Sequence, residues 1–416
     1  MSPQRVLGVY AAALGLHFLV EQLLLALNAR HARACARRPP RDALAVLPEP
    51  EYLRALQYSR ARGRLALVMN TAEAALILAL ILGGVLGRLQ AFLGALPLAE
   101  IWRGLLLVYA VSAIFGLAGL PGSIYAQFVI EARFGFNRTP ARLFLLDLLK
   151  GLALSLILSA PVLIGLFLLV RATPLWWLWS FAGFSAFQLL LVVLYPRLIA
   201  PLFNRFTPLE EGPLKEKIEA LARRLGFRTR GVYLMDASRR SAHGNAYFAG
   251  FGRGRRIVLF DTLARSLSPE QTAAVAAHEA GHERKRHTLQ RLIAGLLAGL
   301  AGFWLLSRGL RWGPLFQAFG FAGPSPQAAV VLILHFSAPL NLLLKPLASW
   351  ASRRQEREAD RFAFHEAGCG EAFIEALIAL SRANLSNPTP HPWASFYFAA
   401  HPTVVERIQA LRSGRR

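Results

Sequence analysis

The sequence predicts a mainly α polytopic membrane protein with about seven transmembrane helices and a small α+β domain outside the lipid. Three observations lead to this fold class. The 416 residues are 55% hydrophobic with a mean hydropathy of +0.39, which is too apolar for an ordinary soluble enzyme. Several apolar stretches are long enough to cross a bilayer. A polar segment of about ninety residues separates the fifth of these stretches from the sixth.

The predicted spans lie at about 6–27, 65–87, 101–121, 151–171, 176–196, 287–307 and 328–350. The third and seventh are the least regular, because Gly119, Pro121, Pro339 and Pro346 interrupt or bound them. The first span is not a cleaved signal peptide, since it runs too long and no small-residue cleavage pattern follows it.

The net charge of +23 follows the positive-inside pattern of membrane proteins. The basic connections are 29–64, 122–150 and the polar insert 197–287, whereas 88–100, 172–175 and 308–326 are shorter and poorer in charge. This alternation predicts a multi-pass protein of the cell inner (cytoplasmic) membrane, with its N-terminus outside and its C-terminus in the cytoplasm. We expect the basic loops to lie against the anionic lipid bilayer, and we expect no nucleic acid partner.

These features divide the chain into four parts. Residues 1–196 hold five spans with basic loops, 197–286 form a cytoplasmic insert, 287–350 hold two spans, and 351–416 form a C-terminal cytoplasmic segment.

Within the insert, Leu214–Leu225 predicts an amphipathic helix. Short strands are predicted at Gly231–Asp236, Gly244–Gly250 and Arg255–Phe260, with a turn at 252–254. The two cysteines, Cys35 and Cys369, offer neither a zinc-thiolate spacing nor a disulfide framework.

A second helix of the insert has a strong start signal, with Ser268 at the N-cap, Pro269 at the first position and Gln271 three after the cap. After Gly281, no helix breaker follows until Gly295, so we expect this helix to continue into the sixth span. Any site that it carries should then lie close to the cytoplasmic membrane surface.

This helix carries the pattern His278-Glu279-Ala280-Gly281-His282. Two histidines four residues apart share one helix face and can bind one metal ion. The glutamate between them is placed to take a proton from an attacking water. The pattern therefore predicts a zinc hydrolase site with Glu279 as the general base.

A catalytic zinc site needs a third protein ligand and an open position. After the seventh span, Glu356 and Asp360 share one face of a predicted helix, while Glu358 points roughly opposite. We expect Glu356 to be the third ligand and Asp360 to orient a zinc histidine through its free ring N–H. The alternative is a solvated charged helix. His287 and His335 are weaker ligand candidates, because His287 lies off the histidine face and His335 lies in mid-membrane.

Further segments complete a specific pattern. They are Phe134–Asn137, Tyr195–Pro196, Ile199–Asn204, Phe206–Glu210, Gly244–Phe248, Arg256–Leu263, His401–Pro402 and Glu406–Ile408. Together with the zinc motif, they make most of the chain resemble the integral-membrane zinc metalloproteases of the CAAX prenyl protease 1 family. The resemblance implies seven tilted helices around an intramembrane chamber, one Zn²⁺ per chain, and hydrolysis of peptide bonds in peptide or protein substrates that are membrane-associated or prenylated.

The resemblance also suggests substrate contacts. Strand Asn245–Phe248 is expected to bind an extended substrate along its open edge, with Asn245 as one contact, although this residue also suits a turn beside Gly244. His401 and Arg407 are candidates for contact with an oxyanion or a substrate carboxylate. His401 is equally well explained as a helix-boundary residue before proline.

One position departs from the family pattern. Eukaryotic members carry a histidine three residues before the His-Pro pair, and this chain has Phe398 there. Recognition of prenylated peptides by the same contacts is therefore open. The composition, rich in Arg, Ala and Leu, suggests a bacterial chain, whose relatives are regarded as general membrane-associated endopeptidases.

Three alternatives remain. One is a membrane quality-control protease with no role for prenyl groups. Another is a multi-pass scaffold or carrier with a structural zinc, which the three visible ligands disfavour because structural sites usually have four. The third is intramembrane cleavage of the site-2 type, which the charged run 283–286 disfavours.

Five ionisable residues lie in or beside the predicted spans, namely His17, Glu21, Glu73, Asp147 and His335. Such groups are costly in lipid and face either a water-filled cavity or a partner side chain. The sequence does not separate these two possibilities.

Overall fold

A computed structural model describes residues 1–227, 231–249 and 256–414. Within these residues, seven helices are long and apolar enough to cross a membrane. They are Pro3–Arg37, Glu49–Leu82, Glu100–Glu131, Ala141–Ala172, Trp176–Phe203, His287–Gly309 and Pro326–Glu366. Each predicted span overlaps one of them. The predicted class, a mainly α polytopic membrane protein with a small α+β domain, is confirmed.

The helices are α1 Pro3–Arg37, α2 Arg41–Leu44, α3 Glu49–Leu82, α4 Val85–Gly94, α5 Glu100–Tyr125, α6 Ala141–Ala172, α7 Trp176–Leu194, α8 Ala200–Phe203, α9 Pro213–Arg224, α10 Asp261–Ser266, α11 Pro269–Arg284, α12 His287–Gly309, α13 Gly313–Ala318, α14 Pro326–Arg361, α15 Gly370–Ala383, α16 Pro392–Phe398 and α17 Val404–Arg412. Segments of π-helix, Ala126–Glu131, Tyr195–Ile199 and Phe362–Glu366, extend α5, α7 and α14.

The irregular spans are longer than predicted. Pro121 lies inside α5, and Pro339 and Pro346 lie inside α14, so none of these prolines ends its helix. Membrane helices tolerate proline because neighbouring side chains and local adjustments satisfy the freed carbonyl groups. The expectation that these prolines interrupt or bound the spans is therefore wrong.

A four-stranded sheet forms the β part of the insert. Its strands are β1 Phe206–Pro208, β2 Val232–Met235, β3 Ala246–Ala249 and β4 Arg256–Phe260, in the order β1-β2-β4-β3. Strands β2 and β4 are parallel, and the other two pairs are antiparallel. Three strands and helix α9 were predicted to within two residues at each described end. The predicted turn at 252–254 lies outside the described residues.

One hydrophobic core joins the insert to the C-terminal segment. Ala276 and Ala280 of α11 belong to the same buried cluster as Ile257 of β4, Phe373 of α15 and Ile408 of α17. The division of the chain into four parts stays a prediction, but the second and fourth parts pack as one body. This core fixes α11 against both the sheet and the end of α14.

The zinc-motif helix does not continue into the sixth span. Helix α11 ends at Arg284, α12 begins at His287, and Arg286 between them has φ +57°, in the left-handed region. That backbone conformation turns the chain out of the helix without glycine or proline. The predicted continuous helix is therefore wrong, and the break changes where the His287 side chain lies.

Candidate metal centre

The position of α11 is fixed at its start and in its middle. Ser268 and Gln271 form a reciprocal capping box, as predicted, which satisfies two backbone N–H groups at the helix N-terminus. At Gly281 the backbone of α14 comes very near, since a Cβ built there would lie 3.0 Å from the Ala359 Cα. Glycine at this position therefore lets the two ligand-bearing helices approach each other.

The three predicted ligands converge. The Nε2 atoms of His278 and His282 lie 3.2 Å apart, and they lie 3.4 Å and 3.2 Å from the two carboxylate oxygens of Glu356. Ligands placed tetrahedrally at about 2.0–2.1 Å from zinc are separated by about 3.3 Å. Within the described residues, this is a group of histidine and carboxylate side chains that could hold a metal ion.

His278 is oriented by a buried carboxylate. Its Nδ1 lies 2.9 Å from Oδ1 of Asp360, and the Arg407 guanidinium donates two hydrogen bonds to the same carboxylate, at 2.8 Å and 2.5 Å. An N–H on Nδ1 leaves a lone pair on Nε2, which faces His282 and Glu356. The structure thus places Asp360 where it was predicted, and it brings Arg407 to Asp360.

His282 has an equivalent chain of partners that sequence reasoning missed. Its Nδ1 lies 2.9 Å from Nδ1 of His287, whose Nε2 lies 3.1 Å from Oε2 of Glu358. Because a carboxylate only accepts, His287 carries its proton on Nε2 and accepts from the Nδ1–H of His282. That assignment again leaves a lone pair on Nε2 of His282. His287 was considered a weaker ligand candidate because of its expected helix position, and the break at Arg286 is what brings it to His282.

These partners show that the site fits a cation. Once His278 has given up its Nε2 proton, two ring nitrogens with lone pairs face each other at 3.2 Å, and a bound positive ion satisfies both. Burial alone lowers the pKa of His278, but its contacts with Asp360 and Glu356 outweigh burial and raise the pKa to about 9. Binding a metal therefore requires this ring to lose a proton.

Two further groups border the three ligands. Burial raises the pKa of Glu279 above its usual value, toward the range that suits a group taking and returning protons near neutral pH. His401 projects from the chain between α16 and α17, with its Nδ1 2.9 Å from Oε2 of Glu356. Its side chain is 64% exposed, so it lies at the open side of the site.

Asn245 lies apart from the ligand cluster, immediately before β3. Its backbone oxygen accepts from the Phe260 N–H, and its exposed side chain borders a cavity of about 790 Å³. Within the described residues, its hydrogen bonds go to Ala246 and Phe260 rather than to the three ligands. Strand β3 is at the edge of the sheet and packs against α11.

The fold and the donor set are those of a membrane zinc metallopeptidase. Residues 28–205 match the family model described as CAAX prenyl protease N-terminal, five membrane helices, and residues 208–415 match that of peptidase family M48. The chain belongs to this family of membrane zinc metalloproteases. The predicted family and enzyme class are therefore confirmed.

Named relatives agree with the family models. The chain is 38% identical over 301 residues to the CAAX prenyl protease 1 homolog of Oryza sativa subsp. japonica, covering 71% of this chain and 70% of that protein. It is 36% identical over 318 residues to CAAX prenyl protease 1 of Saccharomyces cerevisiae, with coverages of 72% and 70%. The crystal structure of S. mikatae Ste24p matches with a TM-score of 0.89 and 30% identity, over 98% of this chain and 99% of that one. The bacterial origin stays a prediction.

Proposed function

We propose that this chain holds one zinc ion with His278, His282 and Glu356 and hydrolyses peptide bonds with Glu279 as the general base. The observation that carries the proposal is the triangle of ligand atoms at 3.2–3.4 Å, whose histidines are both oriented to present a lone pair. When bound, zinc would acidify the attacking water and polarise the scissile carbonyl.

The chain's own residues supply the remaining chemistry. Glu279 accepts the proton of the attacking water on its carboxylate and returns it to the leaving amine. His401, exposed beside Glu356, is positioned to donate a hydrogen bond to the oxygen on which negative charge develops. Arg407 keeps Asp360 charged and in place, so we propose that it acts through His278 rather than on the substrate.

The substrate would bind as an extra strand. Strand β3 pairs with β4 on one side and is at the end of the described sheet on the other, and it packs on the helix that carries Glu279. An extended peptide added at that edge would form backbone hydrogen bonds and lie across the site. Asn245, at the start of β3, is proposed to contact the peptide.

We further propose that the substrate is anchored at the membrane face that carries the zinc site, which is the cytoplasmic side of the cell inner membrane. Basic loops lie on this side: Arg54 donates to the Phe134 carbonyl, and the Arg138 N–H donates to the Arg240 carbonyl of the insert. The names of the relatives identify them as CAAX prenyl proteases, so a prenylated peptide is one substrate to test.

The test compares wild type with Glu279→Gln in detergent, using zinc content and cleavage of casein, a membrane protein, and matched prenylated and unprenylated peptides. We expect one zinc per chain in both proteins and about 10²–10⁴-fold slower cleavage by the variant, because only the base is lost. Glu270→Gln, an exposed carboxylate on the same helix, is the control and should cleave like wild type. Zinc in both with no cleavage by wild type would favour a structural zinc, and no zinc in wild type would refute the proposal.

A further inference from the structure

A basic cavity lies where the insert meets the end of the fifth span. The cavity has a volume of about 580 Å³, and three arginines, Arg197, Arg205 and Arg256, contribute to its lining together with Tyr233 and Tyr247. Its lining contains no aspartate or glutamate. We call it the arginine cavity.

The arginine cavity is on the opposite face of the sheet from the metal site. Tyr233, Val258 and Tyr247 are in register across β2, β4 and β3, so their side chains share one face and line the cavity. Their neighbours Ile257 and Leu259 point the other way and pack in the core that contains α11. The sheet therefore separates the arginine cavity from the catalytic helix, which argues against a role in holding the scissile peptide.

No carboxylate of the described residues neutralises the positive charge in the cavity. None of the three guanidinium groups forms an ion pair with a carboxylate of the described residues, and the segments outside those residues contain no Asp or Glu in the sequence. The Asp236 carboxylate accepts from the Arg205 backbone N–H rather than from its side chain. The Arg256 guanidinium stacks over the Tyr233 ring at 4.9 Å, which holds it in the cavity.

The cavity lies beside the C-terminal part of the fifth span, which contributes Pro196, Arg197 and Ala200 to its lining. Arg197 lies on the π-helical segment near the end of the fifth span, close in sequence to Tyr195, Leu198 and Leu202, whose side chains are 54%, 59% and 51% exposed. Apolar groups exposed at the end of a span face acyl chains, and tyrosine is typical of the interface. An anion that enters this cavity with a lipid tail attached would place that tail against these side chains.

We propose that the arginine cavity binds the phosphate group of an anionic phospholipid. Arginine guanidinium groups bind phosphate oxygens through paired N–H donors, and basic pockets beside membrane helices are suited to lipid headgroups. Such a lipid would tie the outer face of the sheet to the bilayer, and so would hold the zinc domain at a fixed distance from the membrane surface.

The test measures binding of a fluorescent short-chain phosphatidylglycerol to the full-length protein in neutral detergent. The triple variant Arg197→Gln/Arg205→Gln/Arg256→Gln should bind about 100-fold more weakly, because each arginine near an anionic lipid contributes roughly a factor of five. The corresponding triple lysine variant should bind with an affinity between those of wild type and the glutamine variant, since it keeps the charge but loses the paired N–H donors and the stacking of Arg256 on Tyr233. The zinc content of the glutamine variant, measured beside that of wild type, shows whether this variant folds.

The matched control replaces three other exposed arginines by glutamine, namely Arg37 and Arg38 at the end of α1 and Arg64 in α3. It should change the affinity by less than about threefold in about 0.1 M salt, where distant charges are screened. Equal losses in both glutamine variants would overturn the proposal in favour of diffuse attraction.

Three further measurements distinguish a lipid phosphate from other ligands of the arginine cavity. Phosphatidylcholine should bind much more weakly than phosphatidylglycerol, and equal binding would show that acyl chains alone are recognised. Inorganic phosphate at millimolar concentration should displace little lipid, and displacement by micromolar phosphate would reassign the site to a soluble anion. A raised KM for acidic peptides with unchanged lipid binding in the glutamine variant would reassign the cavity to the substrate.

Discussion

Helix α14 carries two ion pairs that differ in their surroundings. Near its end, Asp360 pairs with Arg407, and these side chains are 4% and 15% exposed. In the membrane region, Lys345 pairs with Glu21 at 2.8 Å, with side chains 37% and 12% exposed, beside a cavity of about 190 Å³. The first pair is removed from water and supports a metal ligand, whereas the second remains open to it. One helix therefore carries a dehydrated ion pair at the proposed metal site and a partly hydrated one within the membrane region.

The largest effect is expected from breaking the buried pair. Arg407→Met would leave the Asp360 carboxylate buried without a positive partner, and removing one member of such a pair costs about 3–5 kcal/mol. We expect the free energy of unfolding to fall by that amount, measured by thermal or denaturant unfolding in detergent. Zinc affinity should fall as well, because Asp360 would no longer hold His278 in place.

The double variant Asp360→Asn/Arg407→Met is the control for this prediction. It removes both charges and should recover much of the lost stability, since no uncompensated charge remains. A double variant as unstable as Arg407→Met alone would show that packing of the arginine, and not the buried charge, determines the effect.

A smaller effect is expected on the other side of the metal site. Glu358→Leu removes the acceptor for His287 and leaves His282 without a fixed tautomer, which should weaken zinc binding about 10–100-fold. The measurement is the zinc dissociation constant by chelator competition. Glu358→Gln retains a carbonyl oxygen that can accept from His287, and so should stay close to wild type. Equal loss in both variants would contradict the proposed tautomer chain.

Most of the fold follows from patterns that the sequence displays directly. Apolar length predicts the seven spans, and the capping residues Ser268 and Gln271 fix the start of α11. Strand β1 was missed because it has only three residues and ends in Pro208, which reads as a loop. Its partner β2, which defines the strand, is more than twenty residues away, so no local pattern indicates the pairing.

Helical periodicity predicted the convergence of the three proposed ligands, but not the hydrogen-bond partners of His282. His278, His282 and Glu356 converge as expected, because i, i+4 spacing and the shared membrane face determine their positions. The His287–Glu358 pair was missed because a continuous helix through Arg286 was expected, and such a helix would point the His287 side chain away from His282. An arginine with a positive φ has no signature in a single sequence. The backbone conformation of Arg286 is what directs the His287 side chain back to His282.

The smallest effect is expected at the partly exposed ion pair between Lys345 and Glu21. Glu21→Gln leaves Lys345 without its carboxylate, but the lysine is more than one-third exposed, so we expect a loss of about 1 kcal/mol or less in the free energy of unfolding. Glu73→Gln changes the same charge beside the same cavity, at an exposed residue, and is the matched control. A loss of about 3–5 kcal/mol for Glu21→Gln alone would mean that the pair is as dehydrated as Asp360 and Arg407. In that case the contrast between the middle and the end of α14 would fail, and the pair in the membrane region would contribute as much to stability as the pair at the proposed metal site.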